Sequence, residues 1–77
     1  MAGRLAHGSE LLRFFVNHNH IIVGDEFGQV IICHRSDMDY LQTPINIPTA
    51  QLIPKNLLQH LLAQGGFTEK EFWEEIR

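Results

Sequence analysis

Thr43-Pro44-Ile45-Asn46-Ile47-Pro48, then Pro54, then Gly65-Gly66-Phe67-Thr68-Glu69-Lys70-Glu71-Phe72 mark out the stretch Thr43 to Ile76, around which the rest of the chain is arranged. Two prolines bracket Ile45-Asn46-Ile47, which suits a short edge strand because proline has no amide to give to a ladder. Pro54 suits the first position of a helix, and Gly65-Gly66 supplies a left-handed exit from it. Between them Ile53, Leu57, Leu58, Leu61 and Leu62 form an apolar stripe at helical spacing. Lys55, Gln59, His60 and Gln64 lie on the other side. The second helix announces its own start. Thr68 is placed to cap the N3 amide, Glu71 to reach back to the amide of Thr68, and Phe67 and Phe72 to form a hydrophobic staple.

Working outward towards the N-terminus, Gln29-Val30-Ile31-Ile32-Cys33-His34 reads as a strand because of its β-branched run, as does His20-Ile21-Ile22-Val23. Gly24-Asp25-Glu26-Phe27-Gly28 between them is a turn signal, so the two make a β-hairpin. Ser9 suits an N-cap, with Glu10 at the positive end of the helix dipole. Leu11, Phe14 and Phe15 are spaced for one apolar face, so Ser9 to Val16 reads as a short helix, with a strand from Phe14 as the competing reading. Asn17-His18-Asn19 ends it. Gly3 to His7 reads as a loose arm or a first turn, and Arg35 to Gln42 as a polar loop tacked down by Tyr40 and Leu41.

The order is helix, three antiparallel strands, helix, helix. Apolar helices must cover one face of the sheet, which gives an α+β two-layer sandwich, α-β-β-β-α-α, in a single domain. Seventy-seven residues are close to the size at which one core only just suffices. With 44% hydrophobic and 19% charged residues the composition is that of an ordinary soluble globule. One cysteine makes no internal disulfide, and no run is apolar enough for a signal peptide or a membrane span. A cytoplasmic protein is the expectation.

Net charge is −3, and the basic side chains Arg4, Arg13, Arg35, Lys55, Lys70 and Arg77 are dispersed. Phosphate-backbone binding usually shows clustered Lys and Arg, so the balance weighs against nucleic acid, leaving a local patch of Arg13, Arg35 and Lys55 as the RNA-binding candidate.

Parity assigns the faces of the hairpin. Ile21, Val23, Ile31 and Cys33 make the better core face; His18, His20, Ile22, Val30, Ile32 and His34 fall on the other. If Gly24 lies opposite Gly28, Val30 faces Ile22, and His34 faces His18 with His20 on the diagonal. The open face then carries an imidazole cluster beside an aliphatic strip. Three readings compete for His18, His20 and His34, in this order: polar residues bonded to loops, general acid–base or nucleic-acid contacts, and a zinc site without an indicated fourth ligand. Cys33 reads as a small buried hydrophobe. No metal and no cofactor is expected. No phosphate-binding glycine loop or nucleophile elbow is present.

Ile45-Asn46-Ile47-Pro48, Leu57-Leu58-Gln59-His60-Leu61-Leu62-Ala63-Gln64-Gly65 and Phe67-Thr68-Glu69-Lys70-Glu71-Phe72 together resemble the C-terminal half of the HicA (YcfA-like) toxin family. Glu10-Leu11-Leu12-Arg13-Phe14-Phe15 is similar to that family's first helix. The resemblance implies a double-stranded-RNA-binding-domain-like fold, messenger-RNA cleavage, and a HicB-type antitoxin as partner. The family's active-site signature is glycine–serine–histidine–histidine. Gly28-Gln29-Val30-Ile31 stands in its place here, so the catalytic position falls on Val30, which transfers no proton. An endoribonuclease would have to use His20, His34 or His18 instead. The expected function is a HicA-like toxin–antitoxin module that binds RNA. The alternative is a non-catalytic protein-interaction module, such as a small homodimer, using the open sheet face with Ile22, Val30 and Ile32.

Overall fold

The computed structural model describes residues 4–34 and 44–76. Along the chain come β1 (Ala6–His7), α1 (Gly8–Val16), β2 (His20–Glu26), β3 (Gln29–His34), β4 (Ile45–Pro48), β5 (Leu52–Ile53), α2 (Lys55–Gln64) and α3 (Glu69–Ile76). The sheet β2-β3-β4 is antiparallel throughout, with the helices packed on one face. The α+β layering expected from the sequence is the one observed. Arg35 and the polar loop expected from Arg35 to Gln42 lie outside the described residues.

The helix grammar of the C-terminal third is realised bond by bond. Phe67 N–H donates to the Leu62 carbonyl at 2.9 Å and Gly66 N–H to the Ala63 carbonyl at 3.0 Å, with Gly66 at φ 84°. These two bonds make a Schellman stop to α2. The α3 capping box is complete: Glu71 N–H donates to Thr68 Oγ1 at 3.2 Å, and Thr68 N–H to Glu71 Oε1 at 2.8 Å. Phe67 and Phe72, the expected staple, both lie edge-on to Phe14 of α1, with ring centroids 5.0 and 5.4 Å away. The staple therefore closes through a third ring and ties α1 to α3. Pro54 precedes α2 and offers its carbonyl to Leu58 N–H, one position earlier than expected.

Two features at the N-terminus differ from expectation. Ala6–His7, read as part of a loose arm or a first helical turn, is a strand that pairs with Leu52–Ile53. The cap of α1 is His7, not Ser9: its Nδ1 accepts from Ser9 N–H at 3.2 Å, while His7 N–H donates to Glu10 Oε1 at 2.9 Å. An imidazole nitrogen thus takes the place of the usual short oxygen side chain. Gly8 permits this start. A Cβ there would sit 1.8 Å from the Pro48 carbonyl oxygen, and Gly8 N–H donates to the Gln51 carbonyl at 2.9 Å. The first turn of α1 lies directly on the backbone that leaves β4.

The largest correction concerns the faces of the hairpin. His20 pairs with His34, Ile21 with Cys33, and Ile22 with Ile32; Val23 is then bulged, and Gly24 pairs with Ile31. Ile32 pairs in turn with Ile45, and Val30 with Ile47. Ile32, Ile45 and Ile47 are buried, so this face, and not that of Ile21, Ile31 and Cys33, meets the helices. The reason lies in β4. Its only apolar positions before the proline are Ile45 and Ile47, with Asn46 outward, and their register carries the core to the side of Ile32 and Val30. His20 is carried inward with them. The strip of Ile22, Val30 and Ile32 is consequently no open surface: Ile32 is fully buried, Val30 packs against the core, and Ile22 alone is exposed.

Candidate functional site

The tightest gathering of chemistry-bearing side chains lies where α1 turns into β2. Asn17 closes α1, and Asn19 adopts φ 64°, the left-handed conformation that asparagine tolerates well, so the chain reverses within three residues. This reversal puts His18 and His20 on the same aromatic floor. The His18 ring lies 4.5 Å from Phe14 and 4.9 Å from Phe67, centroid to centroid, and its Nε2 meets Glu75 Oε1 of α3 at 2.5 Å. His20 stands edge-on to Phe15 at 4.9 Å and to His34 at 5.0 Å, with Phe67 at 6.3 Å. The three histidines singled out from the sequence are therefore brought together, but against the helical layer.

His20 is 4% exposed. Its Nδ1 lies 2.9 Å from the His18 carbonyl, which can only accept, so Nδ1 carries a proton and donates. Burial holds the imidazole below the usual histidine range. Its bond to the His18 carbonyl opposes this in part, and the neighbouring His34 and His18 rings add to the lowering. A second backbone hydrogen bond, to Phe15, also opposes the lowering. His34 is half-buried against His20, and His18, also half-buried, is tied to Glu75. Among the described residues no set of three or more His, Cys, Asp or Glu side chains is placed to hold a metal ion.

Of the basic candidates, the two among the described residues do not share an element. Arg13 is exposed in the last turn of α1 and Lys55 in the first turn of α2. Helix α3 is acidic: it carries Glu69, Glu71, Glu74 and Glu75 against the single Lys70. Glu69 accepts from Trp73 Nε1 at 3.0 Å and from Gln59 at 2.9 Å, and these bonds hold its carboxyl below the ordinary range. Arg4 is committed to Glu10 and lies over the Trp73 ring, 5.3 Å from its centroid.

Sequence reasoning overlooked Phe27. It stands at the tip of the hairpin with 96% of its surface exposed and φ 54°, followed by Gly28 at φ 78°. Glu26 pairs with Gln29, so Phe27-Gly28 is a two-residue turn with both residues left-handed, the type I′ form in which asparagine usually precedes the glycine. A phenylalanine in place of that asparagine was the available signal. Glu75 as the partner of His18 was also missed, because nothing local in the chain links positions so far apart.

No family model, no curated protein and no solved structure matches this chain. No helix among the described residues is long and apolar enough to cross a membrane.

Proposed function

We propose that this protein is a small HicA-like module of toxin–antitoxin type that works by binding a protein partner and does not cut RNA. The observation that carries this reading is the enclosure of His20, whose Nδ1 is spent on a backbone carbonyl; at the position where the resembled family has its catalytic histidine the chain has Val30. The acidic α3 adds to it, as do Arg13 and Lys55 standing on separate helices, since phosphate contacts depend on gathered cations. A HicB-type antitoxin is the partner that the resemblance implies, with a second copy of the chain as the alternative. A cytoplasmic setting goes with this reading, as the lone Cys33 has no partner cysteine in the sequence.

RNA binding is the second reading. In its favour is the succession of α1, the three sheet strands β2-β3-β4 and, after the short β5, α2, which is compatible with the fold the family resemblance implies. Incubation of purified protein with messenger RNA, with induced expression followed by growth, separates the two. We expect no cleavage, and no retention on a polyanion column at about 50 mM salt. Cleavage by the wild type that disappears in a folded His34→Ala variant would overturn the proposal.

A further inference from the structure

The β2–β3 hairpin ends in a side chain that its own fold does nothing to stabilise. A bulky residue in the left-handed region is strained. A ring that is 96% exposed recovers none of this through packing. Further back along β2, beyond Gly24, Asp25 and Glu26, Ile22 is 55% exposed although it pairs with the fully buried Ile32, and the bulged Val23 is 48% exposed. Asp25 and Glu26 immediately precede the tip on β2, both exposed, and from His20 to His34 there is not one Lys or Arg. Here an aromatic anchor sits inside a negative field.

From this geometry we propose that the hairpin tip is the docking element of the module, with Phe27 entering an apolar pocket on a partner protein whose rim is basic. The inference rests on the protein-binding reading above and adds the surface and the chemistry of the partner. Charge decides between occupants. Nucleic acid and anionic lipid would bring phosphate against Asp25 and Glu26, and a second copy meeting tip to tip would set four carboxylates together. A basic rim is the complement, and a buried aromatic anchor is the kind of side chain that dominates binding free energy.

The test places the photoreactive amino acid p-benzoylphenylalanine at position 27 of the full chain in its native host cells. Positions 16 and 52, where exposed Val16 and Leu52 lie elsewhere, serve as controls. The protein cross-linked from position 27 is then purified and titrated against the wild type, Phe27→Asn, and the double variant Asp25→Lys, Glu26→Lys. Asparagine is favoured at this turn position, so Phe27→Asn keeps the hairpin. We expect it to weaken binding at least tenfold, and the charge-reversed variant to do the same while losing the salt dependence of the wild type. Binding of Phe27→Asn within twofold of the wild type overturns the inference, as does cross-linking to RNA or to a second copy. Protein cross-links only from position 16 or 52 would remove this surface and leave the protein-binding reading standing; cross-links from none of the three would remove both.

Discussion

At the scale of single residues, the Nδ1–H of His20 donates to the His18 carbonyl, and burial holds the ring below the ordinary histidine range. The unfolded chain then binds this proton more readily than the folded one. Stability therefore rises with pH between the folded value and the unfolded one near 6.5, and is lost as pH falls through that window. The slope owed to this group is at most about 1.4 kcal/mol per pH unit. Below the folded value both states are protonated and the contribution ends. Urea unfolding midpoints taken from pH 7.5 down to 5 should fall for the wild type and flatten in His20→Phe; an unchanged slope in that variant would refute the assignment. Glu10 and Glu71 titrate elsewhere. Hydrogen bonds from His7 N–H and from Thr68 lower their carboxyls, so their contribution is present above about 4.5 and is lost in more acid solution. Phe27 acts in the opposite sense to a core residue. Phe27→Asn should raise the urea midpoint of the isolated protein, by about 1 kcal/mol of stability, because it relieves the left-handed strain and uncovers nothing.

Among the elements, what could be read from the chain was whatever is encoded within a few residues. The capping box of Thr68 and Glu71 and the Gly65-Gly66 stop are agreements between near neighbours, and each formed as read; the hairpin formed too, but with β2 running on to Glu26 and Gly24 opposite Ile31 instead of Gly28. Thr68→Ala should remove about 1 kcal/mol from the stability of the protein, seen as a lower urea midpoint at unchanged m-value. The ribbon β1–β5 and the His7 cap escaped notice because they depend on a long-range meeting. Ala6 and Ile53 pair across most of the chain, and Gly8 lies against the Pro48 carbonyl. No spacing rule contains that contact. It makes Gly8 the most restrictive position of α1. Gly8→Ala would force a methyl to within 1.8 Å of a backbone oxygen, so α1 or the β4–β5 turn must move. A loss of several kcal/mol is expected, as overpacking costs about 1–3 kcal/mol even where side chains can give way. Urea unfolding of the variant would show it. The face of the hairpin was misread for a related reason. Histidine counted as polar on both readings, and the two faces of the hairpin taken alone hold nearly equal apolar sets; only the Ile45-Asn46-Ile47 alternation, placed in register, distinguishes them.

In the molecule as a whole, these elements converge on Phe14. Its ring lies against those of Phe15, His18, Phe67 and Phe72, so one side chain joins α1, the α1–β2 turn, the α2 stop and α3. The site histidines and the staple of the C-terminal third thus belong to the same aromatic cluster, and the stability of the fold and the geometry of the site cannot be varied separately there. A domain of 77 residues has about 4–12 kcal/mol of stability at roughly 0.05–0.15 kcal/mol per residue. Removing a buried phenylalanine ring costs about 3–5 kcal/mol. Phe14→Ala should therefore bring the chain near or below the threshold of folding, while Phe14→Leu, which keeps most of the volume, should leave a cooperative transition at a lower urea midpoint. The two variants differ from substitution elsewhere in the core by a second readout. Phe14→Leu takes away the face on which His18 rests, so the His18–Glu75 contact should loosen and the His18 ring resonances should shift in NMR spectra recorded on the folded protein. A Phe14→Leu protein with wild-type stability and an unmoved His18 signal would show that the cluster is not the joint between helices and hairpin, and that each layer is held by its own contacts.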